Sequence, residues 1–80
     1  MPKLKRLSSK EVLKILEGLG FLIVKQKGSH IKVRRKTNFG IQVLTIPNHK
    51  EIDKGTLKAI YNQATRFIPE EELRNKFYTK

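Results

Sequence analysis

Cysteine and tryptophan are absent from this 80-residue chain, and aspartate occurs once. Without thiols there is neither a disulfide staple nor a thiolate zinc site. Two histidines and one aspartate leave little for a metal cage, which usually wants three or four convergent ligands. No metal and no cofactor is expected. Long apolar runs are missing as well. Leu19 to Val24, interrupted by Gly20, falls far short of a membrane span or a signal-peptide core. Apolar packing alone must therefore hold one domain, residues 1–80, close to the lower size limit for a single core. Its stability is expected to be on the order of 5 kcal/mol.

The most informative absence is that of acidic charge. From Gly18 to Lys50 there is no Asp or Glu, while the same stretch carries seven Lys or Arg, and the net charge of the chain is +11. Such a charge attracts nucleic acid, an anionic membrane or an acidic protein. The basic residues fall on strand-like segments rather than on one amphipathic helix, which argues against a membrane surface. A soluble, cytoplasmic protein facing nucleic acid is the expectation.

Periodicity divides the chain into six elements. Ser8 and Glu11 have capping-box spacing, with Leu7 and Val12 placed for a hydrophobic staple. Val12, Leu13, Ile15, Leu16 and Leu19 then recur at helical spacing until Gly18 and Gly20 stop the helix. Phe21 to Lys27 reads as a strand punctuated by Gly28-Ser29. Ile31 to Arg35 alternates, with Ile31 and Val33 on one face and His30, Lys32 and Arg34 on the other. Residues 36–40 read as a hairpin loop ending in glycine, and Ile41 to Ile46 as a third strand closed by Pro47. After a loop over residues 48–55, Leu57, Ile60, Tyr61, Ala64 and Ile68 form a second helical stripe. Pro69 suits the first position of a short third helix, and Glu70-Glu71-Glu72 suits its N-terminus. The last residues are expected to fray. The order α-β-β-β-α-α predicts an α+β domain, its helices packed on one face of a three-stranded antiparallel sheet.

The outward face of the second strand is where chemistry is possible. Same-face residues on a strand lie about 6.5–7 Å apart, comparable with phosphate spacing along single-stranded nucleic acid. His30, Lys32 and Arg34 thus form a ladder matched to a phosphodiester backbone. Metal-independent RNA cleavage needs a base for the ribose 2′-hydroxyl and cations for the phosphorane, and histidine is the base that works near neutrality. The plainer reading has His30 pointing into solvent or bonded to the hairpin backbone. Gly28 reads as a turn glycine that would also let a phosphate approach, and Ser29 as a phosphate donor or a self-bonded turn serine. Lys32, Arg34, Arg35 and Lys36 read as phosphate contacts or as a solvated basic edge, although alternation sets Arg35 with the core-facing positions. His49 is either a general acid or a loop-orienting residue. Lys54 opens the second helix, where free amides and cations suit a phosphate but also a simple helix start. Phe39, at a loop tip, either stacks on a base or folds back onto the sheet.

Gly20-Phe21, Gly28-Ser29-His30, Ile46-Pro47-Asn48-His49 and Gly55-Thr56-Leu57 with Ile60, following the Leu7-Ser8 helix start, resemble the HicA toxins of bacterial and archaeal toxin–antitoxin pairs. The resemblance runs from about Leu4 to Phe77. Gly-Ser-His alone is a weak signal, whereas its placement between Gly-Phe and Pro-x-His in so short a chain is specific. The resemblance implies a double-stranded-RNA-binding-domain-like fold, α-β-β-β-α with a short extra C-terminal helix. It implies a ribosome-independent endoribonuclease that cleaves mRNA and arrests translation and growth, with His30 as its essential residue. It also implies a cognate HicB antitoxin covering the His30 face. For His49 it implies no settled role. The three glutamates and the basic end after Phe77 depart from the family pattern. RNA contacts are expected from Gly28, Ser29, Lys32, Arg34, Lys36 and Lys54. Two rival readings are a non-catalytic double-stranded-RNA-binding module and a basic protein whose ligand is an acidic protein.

Overall fold

Ser8 opens the first helix with a reciprocal cap. Its hydroxyl accepts the Glu11 N–H at 3.1 Å, and the Glu11 carboxylate accepts the Ser8 N–H at 2.9 Å. In the computed structural model, which describes residues 2–79, α1 (Ser9–Gly18) turns Val12, Leu13 and Leu16 into the core. Three antiparallel strands follow in the order β1-β2-β3: β1 (Leu22–Lys27), β2 (His30–Thr37) and β3 (Gly40–Pro47). Next come α2 (Lys54–Ala64), capped by Asp53, and α3 (Glu70–Phe77). This is the α+β order expected from the periodicity.

One face of the sheet is covered by the helices and the other is open. Ile31 and Val33 of β2 and Leu44 and Ile46 of β3 are buried with Leu16, Leu57, Ile60, Leu73 and Phe77 of the helices. β1 is different, since all six of its residues are exposed. The helical layer sits over β2 and β3, and β1 overhangs it.

The structure corrects three expectations. The second hairpin has no five-residue loop, because Thr37 pairs with Gly40 and only Asn38 and Phe39 lie between the strands. Thr37 Oγ1 tightens that turn, accepting the Phe39 N–H and donating to the Gly40 carbonyl. Pro69 is the N-cap of α3 rather than its first helical residue. The segments near the two ends, expected to be loose, are paired: Leu4 bridges Tyr78, Lys5 donates to Phe77 and Thr79 donates to Lys3. The tail is held because Phe77 is buried in the core and Tyr78 packs edge-on against Tyr61 at 5.1 Å.

Arg35 is the polar member of the covered face. Its Nε donates to the Gln42 side chain at 2.9 Å, Nη1 to the Leu19 carbonyl at 3.0 Å and Nη2 to the Phe67 carbonyl at 3.1 Å. The guanidinium also lies 5.2 Å from the Phe21 ring centroid. Leu19 is the C-cap of α1, and Phe67 follows the end of α2. One cation therefore meets two helix ends, where the backbone dipole favours positive charge. Gly20 makes room for it: with φ +99° it takes a backbone conformation that side chains avoid, and a Cβ there would stand 3.2 Å from Arg35 Cδ. Arg35 is thus neither a phosphate contact nor a solvated edge residue.

Replacing Arg35 by Ala is expected to cost about 2–3 kcal/mol of stability, read from urea unfolding midpoints, with Lys recovering only part of the loss. Asp53 supplies a pH-dependent test. The Thr56 N–H and hydroxyl, both bonded to its carboxylate, hold Asp53 below its ordinary pKa. A depressed folded pKa adds stability above the unfolded value and loses it as pH falls through the folded value. Asp53→Ala should therefore melt below the wild type at neutral pH, with the difference closing below about pH 4.

Candidate nucleic-acid interface

Strand register fixes what the open face presents. Lys27, His30 and Pro47 are direct neighbours across the three strands, and Lys25, Lys32 and Thr45 form the next row. Leu22, Arg34 and Val43 form a third row, and Lys36 pairs with Ile41 beyond it. A bulge between Ile23 and Lys25 shifts the β1 register and sets Leu22, rather than Ile23, opposite Arg34. His30, Lys32, Arg34 and Lys36 are all exposed on that face, as their alternation implied.

Lys25, Lys27, His30, Lys32 and Thr45 line a shallow cleft of about 170 Å³. Three lysines therefore surround one imidazole, and no acidic side chain lines the cleft. Lys25 and Lys27 were not singled out from the sequence, yet the signal was there. A two-residue turn at Gly28-Ser29 places Lys27 opposite His30, and Lys25 opposite Lys32, by counting alone. Gly28 has φ +58° with open space where a Cβ would stand, so within the protein the position is set by its left-handed backbone.

Two relays tie this turn to the helical layer. The Asn48 N–H donates to the Ser29 carbonyl at 2.7 Å. Ser9, buried at the start of α1, has its hydroxyl between the carbonyls of Pro47 and His49 and accepts the His49 N–H at 2.6 Å. The helix thus holds residues 47–49, and that segment holds the residue next to His30. Nothing in the sequence marked Ser9, since a serine at a helix start is ordinary until its surroundings are known.

Other candidates stand apart from the cleft. His49 lines a separate depression with Ser8, Ser9, Lys10, Asn48 and Lys50, and its charge helps lower the pKa of Asp53. Lys54 is exposed on the first turn of α2 and is not among the cleft residues. Phe39 is 99% exposed at the turn tip and does not fold back onto the sheet. Among the described residues no three His, Cys, Asp or Glu side chains are grouped to hold a metal ion. No helix there is long and apolar enough to cross a membrane.

These features define a small α+β protein with an open, acid-free, cationic sheet face. The model of the family described as HicA toxin of bacterial toxin-antitoxin matches residues 9–65. The chain belongs to the HicA toxin family, and is thus the toxin component of a toxin–antitoxin system with a cognate antitoxin as partner. The matched span holds α1, the whole sheet and α2, leaving α3 outside. A comparison with curated proteins finds no match.

Ser9→Ala is expected to cost about 1–2 kcal/mol, because it leaves the part-buried Pro47 and His49 backbone groups without their side-chain partner. Hydrogen exchange at the Asn48 amide should quicken about tenfold as the turn loosens, while exchange in α3 stays unchanged.

Proposed function

We propose that this toxin is a metal-independent endoribonuclease that cleaves single-stranded mRNA, with His30 as general base. The observation that carries the reading is the cleft itself: one exposed imidazole ringed by Lys25, Lys27 and Lys32 with no acidic side chain in its lining. Lysines of this kind bind the scissile phosphate and offset the charge that develops on it. Neutral imidazole takes the proton of the ribose 2′-hydroxyl, whose oxygen attacks the adjacent phosphorus in line. The bond to the 5′-oxygen then breaks, that oxygen takes a proton from solvent water, and the imidazolium returns its proton to solvent. The products are a 2′,3′-cyclic phosphate and a 5′-hydroxyl end.

Residues beyond the cleft have supporting roles in this reading. Arg34 and Lys36 continue the cationic ladder along β2 and bind successive phosphates. Gly28 lets the backbone approach the RNA closely, and Ser29 offers its hydroxyl to a phosphate oxygen. Lys54 serves flanking nucleotides from α2. Cleavage of mRNA accounts for arrest of translation and growth, and occlusion of the cleft by a HicB-type antitoxin accounts for its control.

In a chelator-containing assay with a labelled transcript, His30→Ala should slow cleavage by about 10²–10⁴-fold, the usual contribution of a positioned base. Because His30 is exposed, the melting temperature and RNA affinity of that variant should match the wild type. Undiminished cleavage by the variant would falsify the assignment. Wild-type binding to duplex RNA without shortened products would instead make this a binding module.

A further inference from the structure

The open face carries cations along its whole length, but only part of it is purely polar. From the Arg34 row onward, away from His30, it also exposes aliphatic side chains, with Leu22 66%, Ile41 59% and Val43 43% exposed. Leu22 and Val43 flank Arg34, and Ile41 flanks Lys36, so three aliphatic side chains are interleaved with two cations. Aliphatic groups give nucleic acid little to bind, since bases are held by aromatic stacking and phosphates by cations. Exposed apolar side chains in a polar frame are instead the mark of a protein contact.

We propose that Leu22, Ile41 and Val43 anchor the cognate antitoxin, which presents apolar side chains rimmed by carboxylates and closes the His30 cleft from there. The partner's charge follows from the setting: Lys25, Lys32, Arg34 and Lys36 surround the anchor, in a region devoid of Asp and Glu. A second copy of this chain, also at +11, would bring like charge to the same face. Reach follows from the register. Arg34 and His30 are four residues apart on one strand, about 13 Å, whereas a protein of ordinary interface size covers about 800 Å² on each partner, or about 28 Å across. An occupant centred on the Arg34 row extends about 14 Å to each side, far enough to reach the imidazole. RNA and antitoxin would compete for the cleft but not for the anchor. The inference rests on the family's antitoxin and on the cleft as the site being closed.

The test uses the full chain carrying Leu22→Thr, Ile41→Thr and Val43→Thr together, changes that keep net charge and strand-compatible side chains. The probe is the purified product of the reading frame adjacent to the toxin gene. Titration calorimetry should show affinity reduced by about 100-fold, as expected when anchor residues are lost, with His30→Ala binding as wild type. RNA cleavage by the triple variant should stay within about twofold of wild type, a small barrier change, and escape inhibition by the probe. Unchanged affinity, no binding of the probe to the wild type, or a parallel loss of RNA cleavage would each overturn the proposal. So would sedimentation showing a wild-type dimer that the triple variant dissolves. If wild-type protein cleaves nothing while the triple variant still loses the probe, the anchor stands and the nuclease reading falls.

Discussion

Arg35 sets the geometry on which the rest of the molecule depends. It is a cation on the covered side of the sheet with no carboxylate bonded to it among the described residues, and its charge is met by main-chain carbonyls at the ends of two helices and by the Phe21 ring. A guanidinium can do this because its donors are fixed in a plane and point in several directions at once. The ends of α1 and α2 and strands β2 and β3 are thereby referred to one group. At the other end of the sheet Ser9 pins the start of α1 to the end of β3. α1 lies between these two polar pins, and the apolar core packs beneath it. The open face is clear because the helices pack on the opposite side.

Charge is segregated by the same architecture. Among the described residues the one ion pair joins Arg74 and Glu70 on α3, away from the sheet. Among the described residues no carboxylate pairs with the cations of the open face, so their electrostatic potential is directed outward. Such an arrangement costs the free protein self-repulsion, and that cost is relieved whenever a polyanion or an acidic partner covers the face. Binding is therefore coupled to stability in this chain more strongly than in a neutral domain of equal size.

The sequence was most legible where one interaction dominated. Alternation placed Ile31 and Val33 inward and His30, Lys32 and Arg34 outward, because a buried face enforces a period of two. The cap at Ser8 and the third-helix glutamates were equally direct. Less was visible where contacts join distant segments. Arg35 could be assigned to the inner side by counting, but not its two helix ends. The role of Ser9 depends on residues some forty positions away. The exposure of Leu22, Ile23 and Val24 runs against their composition, and it follows from how far the helices extend over the sheet, which no local pattern encodes. His49 shows the converse, a residue prominent in the sequence whose surroundings in the fold lie outside the His30 cleft.

The pairing of Leu4 with Tyr78 and the bonds between Lys3 and Thr79 bring the two ends of the described chain to one seam beside α2. A polypeptide fused at either end would emerge from the same corner, behind the sheet. Closing the seam with a short linker and reopening the chain at the exposed Asn38-Phe39 turn would give a circular permutant that leaves the β1–β2 hairpin undisturbed. The described backbone is already nearly a ring.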